Sequence, residues 1–151
     1  MLTFALAAHE DLTALEEFLH ENGANEWNYL PAEGVKCTFD LVRARQAEIL
    51  CAFTPEYKSN SALCVGIGIY IVPAALPEEW KKFTNGQPTV FIVEVCVHRH
   101  HTGHGVGTQI LAKIADRAMA GAGSGSAGAH MLLMDRHQDN AASAGMMRRV
   151  G

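Results

Sequence analysis

The sequence predicts an α/β (α+β) fold in which strands alternate with amphipathic helices. Two apolar runs rich in β-branched residues, ALCVGIGIYIV (62–72) and TVFIVEVCV (89–97), are typical of buried strands. After the second run, apolar residues recur at helical spacing and predict a helix over about 105–120. Because the chain has 151 residues and 48% hydrophobic composition, we expect one domain, 1–151, with a sizeable core.

The N-terminal third is predicted to contain a strand over 3–8 and an amphipathic helix over about 12–22. Residues 24–37 include a proline and a glycine, and are therefore predicted to form a loop or a broken helix. Thr38 is expected to cap a helix from residue 39 to about 46.

The remaining elements follow from turn-forming residues. A strand over 48–55 is predicted to form a hairpin with 62–72, because the polar turn EYKSNS separates them. Residues 73–88 are bounded by prolines and predict a surface excursion with one helical turn. The C-terminal quarter is predicted to contain a mobile loop (121–129), a strand (130–137) and a helix capped by Asp139 or Asn140.

Composition argues against several classes of protein. No run approaches the roughly 18 apolar residues that span a membrane, and the start, MLTFALAAHED, lacks the basic segment of a signal peptide, so we expect a cytoplasmic protein with no membrane partner. Basic residues are sparse before residue 99, which argues against a nucleic-acid partner. The four cysteines form no CxxC pair and three lie in apolar runs, so we expect reduced, mostly buried thiols.

Charge is distributed unevenly along the chain. Residues 1–60 carry ten acidic and four basic side chains, whereas residues 99–151 carry three acidic and six basic ones. An anionic ligand would therefore be better received by the C-terminal third, and a cationic one by the N-terminal half.

The decapeptide HRHHTGHGVG (98–107), here named the glycine turn, lies between the predicted buried strand and an amphipathic helix. The first N–H groups of a helix lack intrahelical partners, and glycines let a ligand approach the backbone, so a phosphate is the natural occupant. The spacing G-x-G-x-G lacks the lysine of a P-loop and the acidic residue found about 20 positions on in dinucleotide folds. The alternative is a tight turn that packs a helix on a sheet.

The histidines of the glycine turn, His98, His100, His101 and His104, offer a competing hypothesis, a zinc site. No cysteine or carboxylate is clustered with them, so we expect no metal. A protonated histidine would instead add positive charge beside a diphosphate.

Two segments resemble motifs of the GCN5-related N-acetyltransferases (GNAT). EVCVHRHHTGHGVGTQILAKI is similar to the acyl-CoA-binding motif of that family, a strand ending in Val followed by R-G-x-G-[IV]-G and an amphipathic helix. NAASAGMMRRVG resembles the second motif, N-x-x-[AS]-x-x-L-Y-x-x-x-G-F. The resemblance implies a mixed, mostly antiparallel central sheet flanked by helices, with acetyl-CoA (coenzyme A) as cofactor. Because the chain stops at Gly151, it also implies that the last strands are missing, and an uncovered sheet edge favours a homodimer.

The resemblance also implies which residues bind the cofactor. The pantetheine arm would pair with the backbone of Val95, Cys96 and Val97, and Asn140 and Ser143 would flank its thiol end. The pyrophosphate would be held by the backbone N–H groups of Gly103, His104, Gly105, Val106, Gly107 and Thr108.

The chain departs from the family pattern at two positions. Thr102 stands at the cofactor-binding position where the family usually has Arg or Gln, and Arg99 is the candidate to compensate for it. Met147 stands where many members have a tyrosine that reprotonates the leaving thiolate, and methionine cannot donate a proton.

Glu94 is the candidate general base, because it is the single ionisable residue in the run 89–97. In the resemblance it matches the acidic position of the E-L-Y-V variant of this strand. Burial is expected to raise the pKa of its carboxyl group, which suits a base working near neutrality. The alternative is a structural carboxylate that accepts hydrogen bonds or attracts the positive charge of the acceptor.

The acceptor is expected to lie near the segment between the first helices, where Glu26, Trp27 and Tyr29 would suit a cationic amine. Aromatic residues in such a segment also serve as core plugs. The predicted function is transfer of an acetyl group from acetyl-CoA to a primary amine of a small-molecule or peptide acceptor. The alternative is a CoA-binding sensor or interaction module of the same fold.

Overall fold

In a computed structural model, the described part of the chain comprises residues 1–23, 30–55, 62–121 and 131–134. Its five strands are β1 (Thr3–Leu6), β2 (Ala47–Pro55), β3 (Ala62–Ile71), β4 (Thr89–Val97) and β5 (Met131–Met134). They form one sheet in the order β1-β2-β3-β4-β5. Neighbours are antiparallel except for β4 and β5, which are parallel, so the expectation of a mixed, mostly antiparallel sheet is confirmed.

In these described ranges, the α-helices beside the sheet are α1 (Leu12–Asn22), α2 (Ala32–Arg43), α3 (Glu78–Lys81) and α4 (Val106–Met119). Buried side chains of α4, including Ile110 and Ile114, pack on one face of the sheet. Buried side chains of α1 and α2, including Leu15 and Phe39, pack on the other face. The predicted positions of β3, β4 and α4 and the hairpin between β2 and β3 are confirmed.

The predicted boundaries of the second helix were wrong. Thr38 does not cap it, because α2 already begins at Ala32, after Pro31, and ends at Arg43 rather than near residue 46. The Thr38 hydroxyl instead donates to the carbonyl of Gly34, 3.0 Å away, within the helix. A helix-interior glycine costs about 1 kcal/mol relative to alanine. Burial of Val35 and Phe39 on one helical face offsets this cost, and local composition does not reveal that burial.

Two glycines of β3 allow α4 to lie close to the sheet. A Cβ atom built at Gly66 would be 2.7 Å from Cδ1 of Ile110 and 2.9 Å from Cγ1 of Val106. At Gly68 it would be 2.5 Å from Cγ2 of Ile110. Since real Cβ atoms do not approach other atoms so closely, alanine at these positions would push the helix away from the sheet.

The C-terminal end of α4 is tied to the sheet by a polar network. The hydroxyl of Tyr70 donates to Oε2 of Glu48 (2.9 Å) and accepts from Nε of Arg117 (3.3 Å). The guanidinium of Arg117 also pairs with Glu48, at 3.3 Å. Burial of Tyr70 is the main cause that raises the pKa of its phenol to about 12. The phenol of Tyr70 therefore stays protonated and neutral over the physiological pH range.

Several predictions fall on residues outside the described ranges. These are the segments 24–29, 56–61, 122–130 and 135–151. They contain the expected β2–β3 turn, most of the glycine-rich loop, the end of the last predicted strand and the last helix. Within the described residues, no helix has both the length and the apolar character needed to cross a membrane.

Candidate functional site

The glycine turn connects the end of β4 to the start of α4. Gly103 (φ +79°) and Gly105 (φ +78°) adopt the left-handed conformation, and Gly105 is the N-cap of α4. Because this N-cap is a glycine, it has no side chain that could accept from the leading N–H groups of the helix. Among the residues that the structure describes, none has a heavy atom within 4 Å of a Cβ built at either glycine. The backbone here is therefore approachable by a ligand.

Hydrogen bonds hold the first half of the glycine turn in place. The N–H of His98 donates to the carbonyl of Val65 on β3 (2.8 Å), and the N–H of His101 donates to the carbonyl of His98 (2.7 Å). The hydroxyl of Thr102 donates to the carbonyl of Arg99, at 3.3 Å. The side chain of Thr102 thus supports the turn itself.

Asn22, the last residue of α1, makes a bridge to the glycine turn that sequence reasoning missed. Its Nδ2 donates to the carbonyl of Phe18 in the same helix (2.9 Å), and its Oδ1 accepts from the N–H of Arg99 (3.0 Å). The sequence pattern of Asn22 indicated only the end of a helix. No local signal could reveal a bond between residues 77 positions apart.

A β-bulge in β4 was also missed. The register with β3 changes between the pairs Ile69↔Glu94 and Tyr70↔Ile92, so Val93 is an additional residue on β4. Because every residue of the run except Glu94 is apolar or threonine, periodicity offered no sign of this irregularity.

The bulge changes which side chains of β4 face each helical layer. Before it, Val90 and Ile92 belong to the cluster on the α4 face. After it, Val95 and Val97 pack against that same cluster. In a strand without a bulge, even-numbered and odd-numbered residues lie on opposite faces throughout. The additional residue Val93 therefore explains why even-numbered residues before it and odd-numbered residues after it lie on the same face.

The consequence for Glu94 is that it lies on the α1–α2 face of the sheet. The core cluster on that face includes Ile69, which pairs with Glu94, and Cys96, which lies two residues further along β4. Val93, which is partly buried, packs against the same cluster. The Glu94 side chain is half-buried. The backbone of β4 thus separates Glu94 from α4.

Within the described residues, β5 pairs with only the first part of β4, from Thr89↔Met131 to Ile92↔Met134. The segment Val95–Val97 pairs with β3 through Val97↔Gly66 and Val95↔Gly68. Along this segment, no described strand is paired with the second edge of β4. An extended ligand could therefore align with the strand just before the glycine turn.

The histidines of the turn cluster around His98, whose ring centroid lies 5.4 Å from that of His100 and 5.3 Å from that of His101. Partial burial, followed by the nearby charges of His101, His100 and Arg99, lowers the pKa of His98. Its neutral Nδ1 accepts the N–H of His100 at 3.2 Å. His98 is therefore a structural acceptor at neutral pH. In the described part of the chain, no three His, Cys, Asp or Glu side chains are arranged to hold a metal ion.

Three cysteines lie on the α1–α2 face, and all four are unpaired thiols in the structure. Burial raises the pKa of Cys96 to about 12, with further contributions from Glu94 and Cys64. A hydrogen bond from Cys51 lowers the pKa of Cys64 and raises that of Cys51. Cys37 is exposed, unlike the others, because it lies on α2 outside its buried stripe.

A separate cleft of about 600 Å³ lies where the end of β1 approaches the start of β2. Its charged lining includes Arg43, Arg45 and Glu48. None of the predicted cofactor or catalytic residues lines it, and the β2 residue Ala47 is paired with the opposite end of β3 from Gly66. This cleft is therefore distinct from the glycine turn.

The structure brings most of the predicted cofactor residues together at the β4–α4 junction. These are Val95, Cys96, Val97, Thr102, Gly103, His104, Gly105, Val106, Gly107 and Thr108. Glu94 adjoins them in β4, with its side chain on the α1–α2 face that it shares with Cys96. The remaining predicted residues lie outside the described ranges: Glu26, Trp27, Tyr29, Asn140, Ser143 and Met147.

Comparison with known proteins identifies the family. A profile described as the acetyltransferase (GNAT) family matches residues 24–151. The chain belongs to this family. The resemblance noted in the two sequence motifs is thereby confirmed, and acetyl-CoA is the cofactor that GNAT enzymes use.

Solved structures share the fold of this GNAT protein at low sequence identity. The aminoglycoside N-acetyltransferase AAC(6')-Iy in complex with CoA has a TM-score of 0.68 and 12% identity, over 100% of this chain and 87% of that chain. A ribosomal-protein-alanine N-acetyltransferase from Brucella melitensis biovar Abortus 2308 has a TM-score of 0.66 and 18% identity, over 100% and 92%. The Salmonella typhimurium protein yncA with its cofactor acetyl-CoA has a TM-score of 0.62 and 19% identity, over 100% and 79%. A comparison with curated protein sequences gave no match.

Proposed function

We propose that this chain is an N-acetyltransferase that moves the acetyl group of acetyl-CoA to a primary amine of a cationic acceptor. The observation that carries the proposal is the β4–α4 junction. There, a strand segment whose second edge pairs with no described strand leads through the glycine turn to a helix with glycine as its N-cap. Membership of the GNAT family supports acetyl transfer. Similar folds in enzymes for aminoglycosides and for ribosomal proteins support an amine acceptor.

The residues of the junction fit coenzyme A. The leading N–H groups of α4 and the glycine turn, from Gly103 to Thr108, would hold the pyrophosphate, since the positive end of a helix dipole attracts anions. The open space beside Gly103 and Gly105 lets a diphosphate approach the backbone. The backbone of Val95–Val97 would align the pantetheine arm, and we propose that Asn140 and Ser143 lie near its thiol end.

Glu94 is proposed as the general base. Acetyl-CoA supplies the thioester-activated acetyl group. The amine nitrogen forms a bond to the carbonyl carbon, the carbon–sulfur bond breaks, and the amine loses a proton, which Glu94 accepts directly or through water. Its position on the α1–α2 face supports this role, because the acceptor segment with Glu26, Trp27 and Tyr29 connects α1 and α2.

The leaving thiolate needs a proton, and Cys96 is poorly suited to provide it. A thiol with a pKa of about 12 holds its proton more tightly than an ordinary thiol does. Because Met147 cannot donate a proton, we propose that water protonates the thiolate.

Two further features belong to the proposal. We propose a cytoplasmic location, which the unpaired cysteines support. We also propose a homodimer, which the partly exposed Leu6 on edge strand β1 supports. Light scattering after size-exclusion chromatography measures the assembly state, and a monomeric mass would contradict the dimer.

The function is tested by incubating the protein with acetyl-CoA and a panel of polyamines, aminoglycosides, amino acids and peptide amines. Release of free thiol and a mass increase of one acetyl group on an amine are the expected results. Because Cys37 is exposed and would react with thiol reagents, a Cys37→Ser variant lowers the background of the assay. A CoA-dependent rise in melting temperature without acetylation of any amine would favour the CoA-binding module, and absence of both would contradict the proposal.

A further inference from the structure

We propose that Asn22 is a positioning residue that sets the glycine turn for cofactor binding, an inference that rests on the function proposed above. Its side-chain amide joins α1 to the turn through two hydrogen bonds, to the carbonyl of Phe18 and from the N–H of Arg99. Asn22 touches neither the acetyl group nor the amine in this proposal. It acts through the backbone that it holds.

The bond to Phe18 fixes which way the Asn22 amide points. Since Nδ2 donates at 2.9 Å to a carbonyl of its own helix, Oδ1 is directed toward the turn. An amide fixed at one end loses little additional side-chain freedom when its other end accepts the N–H of Arg99. The bridge is therefore rigid at both ends.

A second contact occurs at the same junction. The ring of Phe18 lies 6.2 Å from the ring of His98, centroid to centroid, so the last turn of α1 meets the first two residues of the glycine turn. The phenylalanine also packs against the core cluster on the α1–α2 face. Together, these contacts fix the start of the glycine turn relative to α1, whose own position is fixed by packing in the core.

Hydrogen bonds thus hold residues 98–101 from three directions: β3 through Val65, α1 through Asn22 and the turn itself through His98. The N–H of His98 is held by the carbonyl of Val65, and the N–H of His101 by the carbonyl of His98. Asn22 binds the N–H of Arg99, in the peptide whose carbonyl, on His98, accepts from His101. It is the anchor that ties this peptide to α1. Removal of the bridge would loosen this peptide and, with it, the phosphate-binding backbone that follows.

The test compares Asn22→Ala with Glu17→Ala, a matched truncation at an exposed position on the same helix. Titration calorimetry with CoA is expected to show about five-fold weaker binding for Asn22→Ala, the effect of losing one side-chain hydrogen bond. The KM for acetyl-CoA is expected to rise by a similar factor. The KM for the amine and kcat at saturating acetyl-CoA should stay unchanged. Glu17→Ala should match the wild type in all four quantities.

Amide hydrogen exchange followed by NMR gives a readout independent of activity. The N–H of Arg99 is expected to exchange faster in Asn22→Ala, whereas the N–H of His98, held by Val65, should retain its rate. Unchanged CoA affinity and unchanged Arg99 exchange in a folded Asn22→Ala protein would overturn the inference. Failure of the wild type itself to bind CoA would instead overturn the proposed function, so the two failures are distinguishable.

Discussion

Gly68 on β3 lies directly beneath Ile110 of α4, so closely that a Cβ built on the glycine would be 2.5 Å from the isoleucine Cγ2. Substitution Gly68→Ala must therefore separate the helix from the sheet or force side chains off their rotamers. We expect the free energy of unfolding to fall by about 1–3 kcal/mol, measured by urea denaturation. Gly34→Ala is the matched control, since its Cβ would make ordinary contacts with the ring of Pro31, 3.4 Å from Cγ and 3.9 Å from Cδ. That variant should be stabilised by up to about 1 kcal/mol because it removes a helix-interior glycine. Equal effects at both positions would contradict the close packing.

Gly105→Ala is expected to weaken CoA binding by about ten-fold or more, a loss of about 1.4 kcal/mol. The substitution strains a residue with φ of +78° and places a methyl group in the space proposed for the diphosphate. Gly86→Ala provides the control, because Gly86 has φ of +76° and equally open surroundings in the turn after α3. Both variants should lose about 1–2 kcal/mol of stability, but only Gly105→Ala should lose affinity. Equal CoA affinity in the two variants, measured by calorimetry, would rule out a phosphate site at this turn.

Glu94→Gln is expected to reduce kcat by about 100-fold or more, with little change in CoA affinity. The amide keeps the shape of the side chain but cannot accept the amine proton. Glu79→Gln, an exposed substitution in α3, should behave as the wild type. Steady-state kinetics on an identified amine provides the measurement. Near-normal turnover of Glu94→Gln would assign the residue to the structural alternative instead.

Acid is expected to destabilise the protein through His98. The pKa of His98 is lowered from 6.5 by partial burial and by the positive charges of His101, His100 and Arg99, with Glu21 opposing them. Because the unfolded chain binds this proton more readily than the folded one, the stabilising contribution is complete above about pH 6.5 and is lost as pH falls through the lowered folded-state pKa.

The comparison for this pH effect is the variant His98→Asn, whose side chain does not titrate. Urea denaturation from pH 8 to pH 5 should give a shallower loss of stability in the variant below about pH 6.5 and parallel behaviour above it. Identical slopes for the two proteins across the acid range would show that His98 does not favour its neutral form in the folded state.

The sequence was sufficient to predict the elements whose residues alternate or recur regularly. β4 was placed correctly at 89–97, because all of its residues except Glu94 are apolar or threonine, which is typical of a central strand. α4 was placed within one residue at each end, because its buried side chains recur at helical spacing. The predicted cofactor segment is continuous along the chain, so the same two elements located the junction in which it lies.

What escaped prediction depends on contacts between distant parts of the chain. Pro31 and Gly34 indicated a loop, although burial of Val35 and Phe39 stabilises a helix there. The bulge at Val93 depends on how β4 pairs with β3, and pairing leaves no mark on composition. Likewise, the sequence around Asn22 holds no information about Arg99. Tertiary packing decided each of these features.

The two glycines of β3 and the network around Arg117 have a joint consequence for α4. In the absence of any ligand, the helix packs closely on the sheet near its middle and is bonded to the sheet at its last turn by Arg117. Its first-turn N–H groups are consequently preorganised. Binding of an anion would therefore cost little conformational entropy in the protein. The packing of α4, rather than the binding of a ligand, therefore fixes the directions of these N–H donors.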